Sequence, residues 1–320
     1  MVSTEFPHLA QMRSLSECAQ IDQIDVDELT ERSFKSEFVN CQRPLLVKRA
    51  VRHWSAFERW QSPQYLCDAV GEKIVHVQVA PMIEYPRPSL VERMEKSLQA
   101  MSFREFVDKI LNDERGYHSI HSCPMSPPAP LGPLEGDVGG LAFLPNPATA
   151  RWYRNRAFIY RGSYSDWHYH PADENFLCQI RGDKEVLLLP PDERSFQTVN
   201  EIARKVGYVY DVDRQRFPSY GGLRPYRATL SAGDALYIPT FWWHAVEAPQ
   251  TDWGISVAWV WRSPNHLFDP RLPGVRQILK RASFSPRGLF TAGVALYSYA
   301  YGTVSPGVRR ARSRYSKTDA

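Results

Sequence analysis

From Tyr117 onward the chain is written in short runs of β-branched and aromatic residues, each closed by proline or glycine: WYRNRAFIYRG, NFLCQIRG, KEVLLLPP, RATLSAG, DALYIP and ISVAWVW. Such residues fit a pleated, half-buried surface, and runs of this length between turn residues have the spacing of an antiparallel barrel or sandwich. The chain ahead of them has another texture. Good helix formers fill Asp25 to Ser36, RPLLVKRAV (Arg43 to Val51) suits a buried strand, and a helix is expected from Ser62 to Val70. EKIVHVQVAP (Glu72 to Pro81) alternates like a strand. Helix is expected again across Ser89 to Asp113, where Ser102 and Glu105 form a capping-box pattern ahead of FVDKIL. Helices first and strands after predict an α+β chain, mainly β, with N-terminal helices covering one face of a barrel and a last helical segment after Arg271. The corresponding division is one domain with its N-terminal helices over 1–270 and a helical segment with a basic tail over 271–320.

Composition narrows the class. With 43% hydrophobic and 12% aromatic residues in 320, the chain can bury a large core and is too apolar to be disordered. Lys and Arg exceed Asp and Glu only by 39 to 35, and much of the excess sits in a tail holding Arg309, Arg310, Arg312, Arg314 and Lys317. That gives no global electrostatic case for a nucleic-acid partner. The five cysteines form no CxxC pair, which argues against a disulfide framework and a thiolate zinc site and fits a reducing cytoplasm. The first residues lack a basic segment followed by an apolar run, so no export signal is read there. The uncharged stretch between Arg287 and Arg309 is long enough to span a bilayer, but Gly, Ser, Thr, Tyr and Pro dilute it. It is expected to be a packed terminal helix or an oligomer contact, not a membrane span.

The chemistry concentrates in two segments. In GSYSDWHYHPADENFLCQIRG (Gly162 to Gly182), His168 and His170 stand two residues apart, so on a strand both imidazoles point to one face, and Glu174 can return to it from the following turn. GDALYIPTFWWH (Gly233 to His244) brings a third histidine after a proline-ended strand. Imidazoles with a carboxylate are the ligand set of redox iron and manganese, leaving positions open for oxygen and substrate. His118 and His121, in GYHSIHS, have no partner segment and are read as structural or as outer support.

These segments resemble the two cupin motifs. The first has Gly, five residues, His-x-His, three residues and Glu, with one residue extra before the closing Gly; in the second, Phe241 replaces the usual Gly. NFLCQIRGDKEVLLLPPD and GDALYIPTFWWHAVE are more specifically similar to the JmjC or cupin-8 branch, the factor-inhibiting-HIF-like group, and RPLLVKRAVRHWSAFERW is similar to the start of such domains. The resemblance spans about residues 40 to 262. It implies a double-stranded β-helix, the cupin or jelly-roll barrel.

The same resemblance implies an iron(II)- and 2-oxoglutarate-dependent dioxygenase that hydroxylates a protein side chain or a small molecule with O2. His168 and His244 match the metal histidines, and Lys184 matches the lysine that pairs with the distal carboxylate of 2-oxoglutarate. Ser165 and Tyr117 match hydroxyl residues assisting that carboxylate, and Asn175 matches a residue near the metal or cosubstrate. Two departures stand out: His170 takes the place of the family's Asp, and Ala258 stands where Asn is frequent. The carboxylate is then Glu174, Asp173 or absent, with three histidines alone. Two other readings follow from that: a metal cupin with three histidines and Glu174, acting as a dioxygenase or isomerase without 2-oxoglutarate, or a non-catalytic binding module. Trp152, Tyr160, Tyr164, Trp167, Trp242 and Trp243 are expected to wall the pocket. The Pro- and Gly-rich loop Pro124 to Pro147 and the basic insertion Ser195 to Tyr226 are candidate substrate contacts, and the segment after Arg271 is a candidate homodimer contact.

Overall fold

A strand of 19 residues organises the barrel: β12 (Trp243–Trp261) pairs along one edge with β7 (Arg156–His168) over nearly its whole length. Along its other edge it changes neighbour, from β9 (Lys184–Leu189) beside Trp243–Glu247 to β8 (Glu174–Arg181) beside Ile255–Trp261. One long strand thus belongs to both walls. The computed structural model describes residue 9 and residues 18–80, 98–113, 116–144, 155–171, 174–206, 215–261 and 269–282.

The larger wall continues from β8 to β11 (Ala235–Ile238), β3 (Leu45–Lys48) and β2 (Asp22–Asp25). On its other side it runs from β7 to β6 (Tyr117–Pro124), β4 (Ile74–Ala80) and β5 (Leu98–Ser102). The smaller wall adds β10 (Tyr226–Leu230) to β9, and β1 (Ala19–Gln20) to β10. Among the core strands the pairing is antiparallel, as the short punctuated runs require. This is the expected cupin-like jelly roll. Between β8 and β9 the chain passes from one wall to the other in two residues, Gly182 and Asp183, with Gly182 at φ +71 in the left-handed region that glycine enters without strain.

Two apolar layers follow from the alternation of the strands. Inside the barrel, Leu177, Val186, Leu188, Ala228, Leu230, Leu236, Ile238 and Trp242 pack together. Outside the larger wall, Phe176, Cys178, Tyr237, Ile255 and Trp261 meet the N-terminal segments and the loop 125–144. Phe34 is fully buried there, its ring 5.0 Å from Tyr237, 5.1 Å from Phe143 and 5.4 Å from Phe176. At about 25 cal/mol per Å² of apolar surface, each such ring contributes a few kcal/mol before chain entropy is subtracted.

The N-terminal expectations hold in outline and shift in detail. Helix Pro63–Val70 starts at the Ser62 cap, and helix Phe103–Asn112 starts at Ser102, whose hydroxyl accepts from the Glu105 amide. The stretch expected as one helix over Asp25 to Ser36 is a 3-10 turn at Val26–Glu28, a single helical turn at Glu31–Ser33 and a π-helical turn at Phe34–Val39. Within the helix expected over Ser89 to Asp113, Leu98–Ser102 is a strand on the edge of β4, although Leu, Gln, Ala and Met favour helices; pairing with Ile74–Gln78 overrides that propensity. The described part of the loop expected over 124–147, residues 125–144, covers the core: Leu131, Leu134, Leu141, Phe143 and Leu144 are buried. No helix among the described residues is long and apolar enough to cross a membrane. Of the segment after Arg271, Pro273–Ala282 is a helix, as expected, while the uncharged stretch between Arg287 and Arg309 lies outside the described residues, as do Trp152 and Asp173.

Candidate metal centre

Where β7 meets β12 at the end of the barrel, His168 pairs directly with His244, so both rings stand on one face. Their centroids are 4.1 Å apart, and His170, just past the end of β7, brings its ring to 5.2 Å from His244 and 5.5 Å from His168. One ring nitrogen of each histidine lies within 4.8 Å of the other two. Between them Tyr169 points the other way and anchors the turn on Trp243, at 4.6 Å, and on Phe241, at 5.8 Å. The main-chain carbonyl of His170 accepts from the Phe241 amide at 2.9 Å.

Two of the three rings are oriented by their far nitrogens. His168 Nδ1 lies 2.8 Å from the Asp166 carbonyl and His244 Nδ1 lies 3.0 Å from the Trp242 carbonyl. A carbonyl only accepts, so each Nδ1 carries the proton and each Nε2 keeps its lone pair for a metal. Burial lowers the pKa of all three histidines, with His170 falling to about 4 and the neighbouring imidazoles adding to the effect on His170 and His244. The cluster is therefore neutral near pH 7 and presents donors. This donor set, nitrogen without thiolate, fits a divalent transition ion.

Glu174 is not brought into the cluster. The strand begins at Glu174 itself, so alternation puts its side chain with Phe176 on the outer face and Asn175 on the inner one. There it is fully buried, its Oε2 accepting from the Tyr237 hydroxyl at 2.7 Å and the Thr240 amide at 3.3 Å. The carboxylate expected from a return of the turn is thus corrected to a support of β8 and β11. Asn175 pairs with Ile238 of the inner layer and is buried, with no hydrogen-bond partner for Oδ1 among the described residues.

Further along the inner face, a polar layer crosses the barrel. The Gln179 amide donates to the Tyr160 hydroxyl at 2.7 Å, and the Ser256 hydroxyl donates to Gln179 Oε1 at 2.8 Å. That network fixes the Tyr160 ring, and Lys184 Nζ lies 4.2 Å from its centroid and 5.3 Å from that of Phe158. Lys184 is 3% exposed, and no carboxylate among the described residues pairs with it. Desolvation draws its pKa down to about 7.

The remaining expectations divide. Ser165 pairs with Val246, and Val246 with Val186, which lies two residues from Lys184 on the same face, so Ser165 shares the inner row. The Tyr117 ring lies against Gly162, where an added Cβ would sit 2.6 Å from it; nothing among the described contacts ties its hydroxyl to Lys184. His121 is nearer. Burial takes its pKa to about 4 with the Lys184 charge contributing, and its Nε2 bonds Ser119 Oγ at 2.7 Å. On β6, Ser119 pairs with Tyr160, so His121, two residues on, follows onto the inner face. Of the expected pocket aromatics, Tyr160 and Trp242 face inward, while Tyr164, Trp167 and Trp243 pack on the outside of the smaller wall. In the basic insertion, Lys205 is paired with Glu201, Arg204 bonds the Asn200 carbonyl, Arg216 stacks on Phe217 and Arg224 bonds the Leu223 carbonyl; Arg214 lies outside the described residues.

Comparison with known proteins agrees with this architecture. A model of the cupin-like domain matches residues 31–266. The chain is 24% identical over 271 residues to Jumonji C domain-containing protein 5 of Drosophila melanogaster, covering 80% of this chain and 64% of that protein. It is 26% identical to the human bifunctional peptidase and (3S)-lysyl hydroxylase JMJD7, over 69% of this chain and 78% of the relative. It is 24% identical to the mouse tRNA wybutosine-synthesizing protein 5, over 71% and 74%. Measured against the fly protein, the chain spans just under two thirds of the relative's length.

Proposed function

We propose, from the premise that this chain belongs to the cupin-like domain family, that it is an iron(II)- and 2-oxoglutarate-dependent oxygenase. Its reaction is the hydroxylation of a protein side chain or a small molecule. The observation carrying this reading is Lys184, a buried cation facing two aromatic rings with no carboxylate partner among the described residues. Holding an unpaired ammonium in such a place is unfavourable unless an anion comes to it. The distal carboxylate of 2-oxoglutarate supplies that anion.

In this reading His168, His170 and His244 hold the metal, which when bound supplies a redox centre coupling O2 to oxidative decarboxylation of 2-oxoglutarate and hydroxylation of the substrate. Asp166 and Trp242 keep two of the imidazoles in the metal-binding tautomer through their carbonyls. Lys184 orients the cosubstrate from the far side, and Gln179 and Ser256 keep the Tyr160 ring under it. Asn175 is a candidate to bind near the metal or cosubstrate, its Oδ1 having no hydrogen-bond partner among the described residues, and Ser165 and Tyr117 are candidates to assist the carboxylate. Trp242, Leu188 and Ile238 keep bulk water from the inner layer. A cytoplasmic setting belongs to the same proposal and is supported by five free cysteines.

A metal cupin working without 2-oxoglutarate needs Glu174 as a ligand, and the hydrogen bonds from Tyr237 and Thr240 speak against that role. Anaerobic reconstitution with iron(II), then 2-oxoglutarate, tests the proposal through the weak visible charge-transfer band of the chelate. The band is expected in the wild type and lost in Lys184→Ala with iron retained. Iron bound with no band on adding 2-oxoglutarate would refute the oxygenase reading.

A further inference from the structure

We propose that Arg156 recognises an oxyanion, a carboxylate or a phosphate, on the primary substrate; this rests on the reading of the site given above. β7 begins at Arg156, and alternation sets Arg156, Phe158 and Tyr160 on one face, the last two being the rings that carry Lys184. Lys184 therefore serves the inner end of this row and Arg156 stands at its outer end. Its cross-strand partners are Ala258 on β12 and Pro124 on β6, neither of which has a polar side chain to occupy it. No carboxylate among the described residues pairs with it, and its side chain is exposed to an arriving ligand.

The guanidinium is braced for this task. On β6 the register shifts between Ile120 and Cys123, so His121 and Ser122 together oppose the single residue Phe158. Ser122 sits in the left-handed region at φ 52, a conformation that persists only where its surroundings hold it. The bulge turns both the carbonyl and the hydroxyl of Ser122 onto Arg156 Nη1, each at 3.1 Å. One nitrogen is thus spent on orientation, leaving Nε and Nη2 as a planar pair of donors suited to two oxygens of one anion. Lys184 is assigned to the distal carboxylate of 2-oxoglutarate, which leaves the Arg156 guanidinium, at the other end of the same row, for the primary substrate.

The test uses the full chain, reconstituted anaerobically with iron(II) and saturating 2-oxoglutarate, titrated calorimetrically with methyl phosphate and separately with acetate. Arg156→Gln is expected to weaken the preferred anion at least about tenfold, the scale of losing a charge-assisted pair of hydrogen bonds, and Arg156→Lys to recover only part of it. The 2-oxoglutarate band should persist in Arg156→Gln and disappear in Lys184→Ala. A response to methyl phosphate alone assigns a phosphate substrate, and a response to acetate alone assigns a carboxylate. Equal anion affinity in wild type and Arg156→Gln overturns the proposal, as does the absence of binding by either anion while the wild-type band is intact. Failure of the band itself refutes the 2-oxoglutarate reading instead, and Arg156-dependent anion binding measured in that case still establishes the oxyanion site.

Discussion

Buried charges outside the barrel wall and buried charges inside it are treated in opposite ways. Outside, Asp137 accepts from Arg59 at 3.0 Å, from the Trp60 indole at 2.9 Å and from the Tyr65 hydroxyl at 2.7 Å. Glu174 is held by Tyr237 and Thr240, and Glu185 takes two nitrogens of Arg227 at 2.9 and 2.6 Å. Inside, Lys184 faces aromatic rings and pairs with no carboxylate among the described residues. A buried polar group left unmatched costs about 1–3 kcal/mol or more, so a fold tolerates it where a ligand completes it. The outer carboxylates build the wall; in the proposed reading the inner cation is completed by a ligand.

That contrast can be broken most sharply at the three imidazoles. His168→Ala or His244→Ala should weaken iron(II) or manganese(II) by more than about 100-fold, above the 10–100-fold typical of residues that merely support ligands. Glu174→Gln should leave metal affinity within about twofold while lowering stability by about 1–3 kcal/mol. Metal titration read beside thermal unfolding decides it, and equal metal loss in Glu174→Gln would return that carboxylate to the centre.

A smaller effect separates Lys184 from the outer pairs. The folded chain holds the Lys184 pKa at about 7 against 10.5 for an exposed lysine. Between those values the unfolded chain binds the extra proton, so stability rises with pH across the window and the penalty is fully present below about pH 7. Lys184→Met should therefore raise the unfolding free energy by on the order of a few kcal/mol near pH 6, with the gain fading by about pH 10.5. A gain that does not change with pH would mean that packing, not charge, sets the difference. Smallest is the outer network: Tyr65→Phe, which removes one of three donors to Asp137, should cost about 1 kcal/mol and leave both metal and 2-oxoglutarate binding unchanged. Loss of either ligand in that variant would erase the distinction between the two regions.

The strands were legible because β-branched runs alternate with glycine and proline, and the same alternation put His168 and His170 on one face. Alternation was also the limit. Whether Glu174 or Asn175 faces inward depends on the residue at which β8 starts, and a turn of irregular length conceals that. His121 went unassigned because Lys184, whose charge it feels, lies on a strand paired neither to β6 nor to β7, a proximity that only closure of the barrel creates. Leu98–Ser102 has the composition of a helix and becomes a strand because an edge was there to extend.

Phe241 occupies φ 65, a backbone state that costs a residue with a Cβ roughly 1–2 kcal/mol and that the family motif ordinarily gives to glycine. Its ring lies against Gly274, Leu272 and Val275 at the start of helix Pro273–Ala282, while its amide holds the His170 carbonyl. The helix beyond the barrel is thus a clamp whose grip is felt at His170, one of the three proposed metal ligands. A chain ending at residue 270 would lose the apolar cover that keeps Phe241 in its strained state, and with it the tether on the third imidazole.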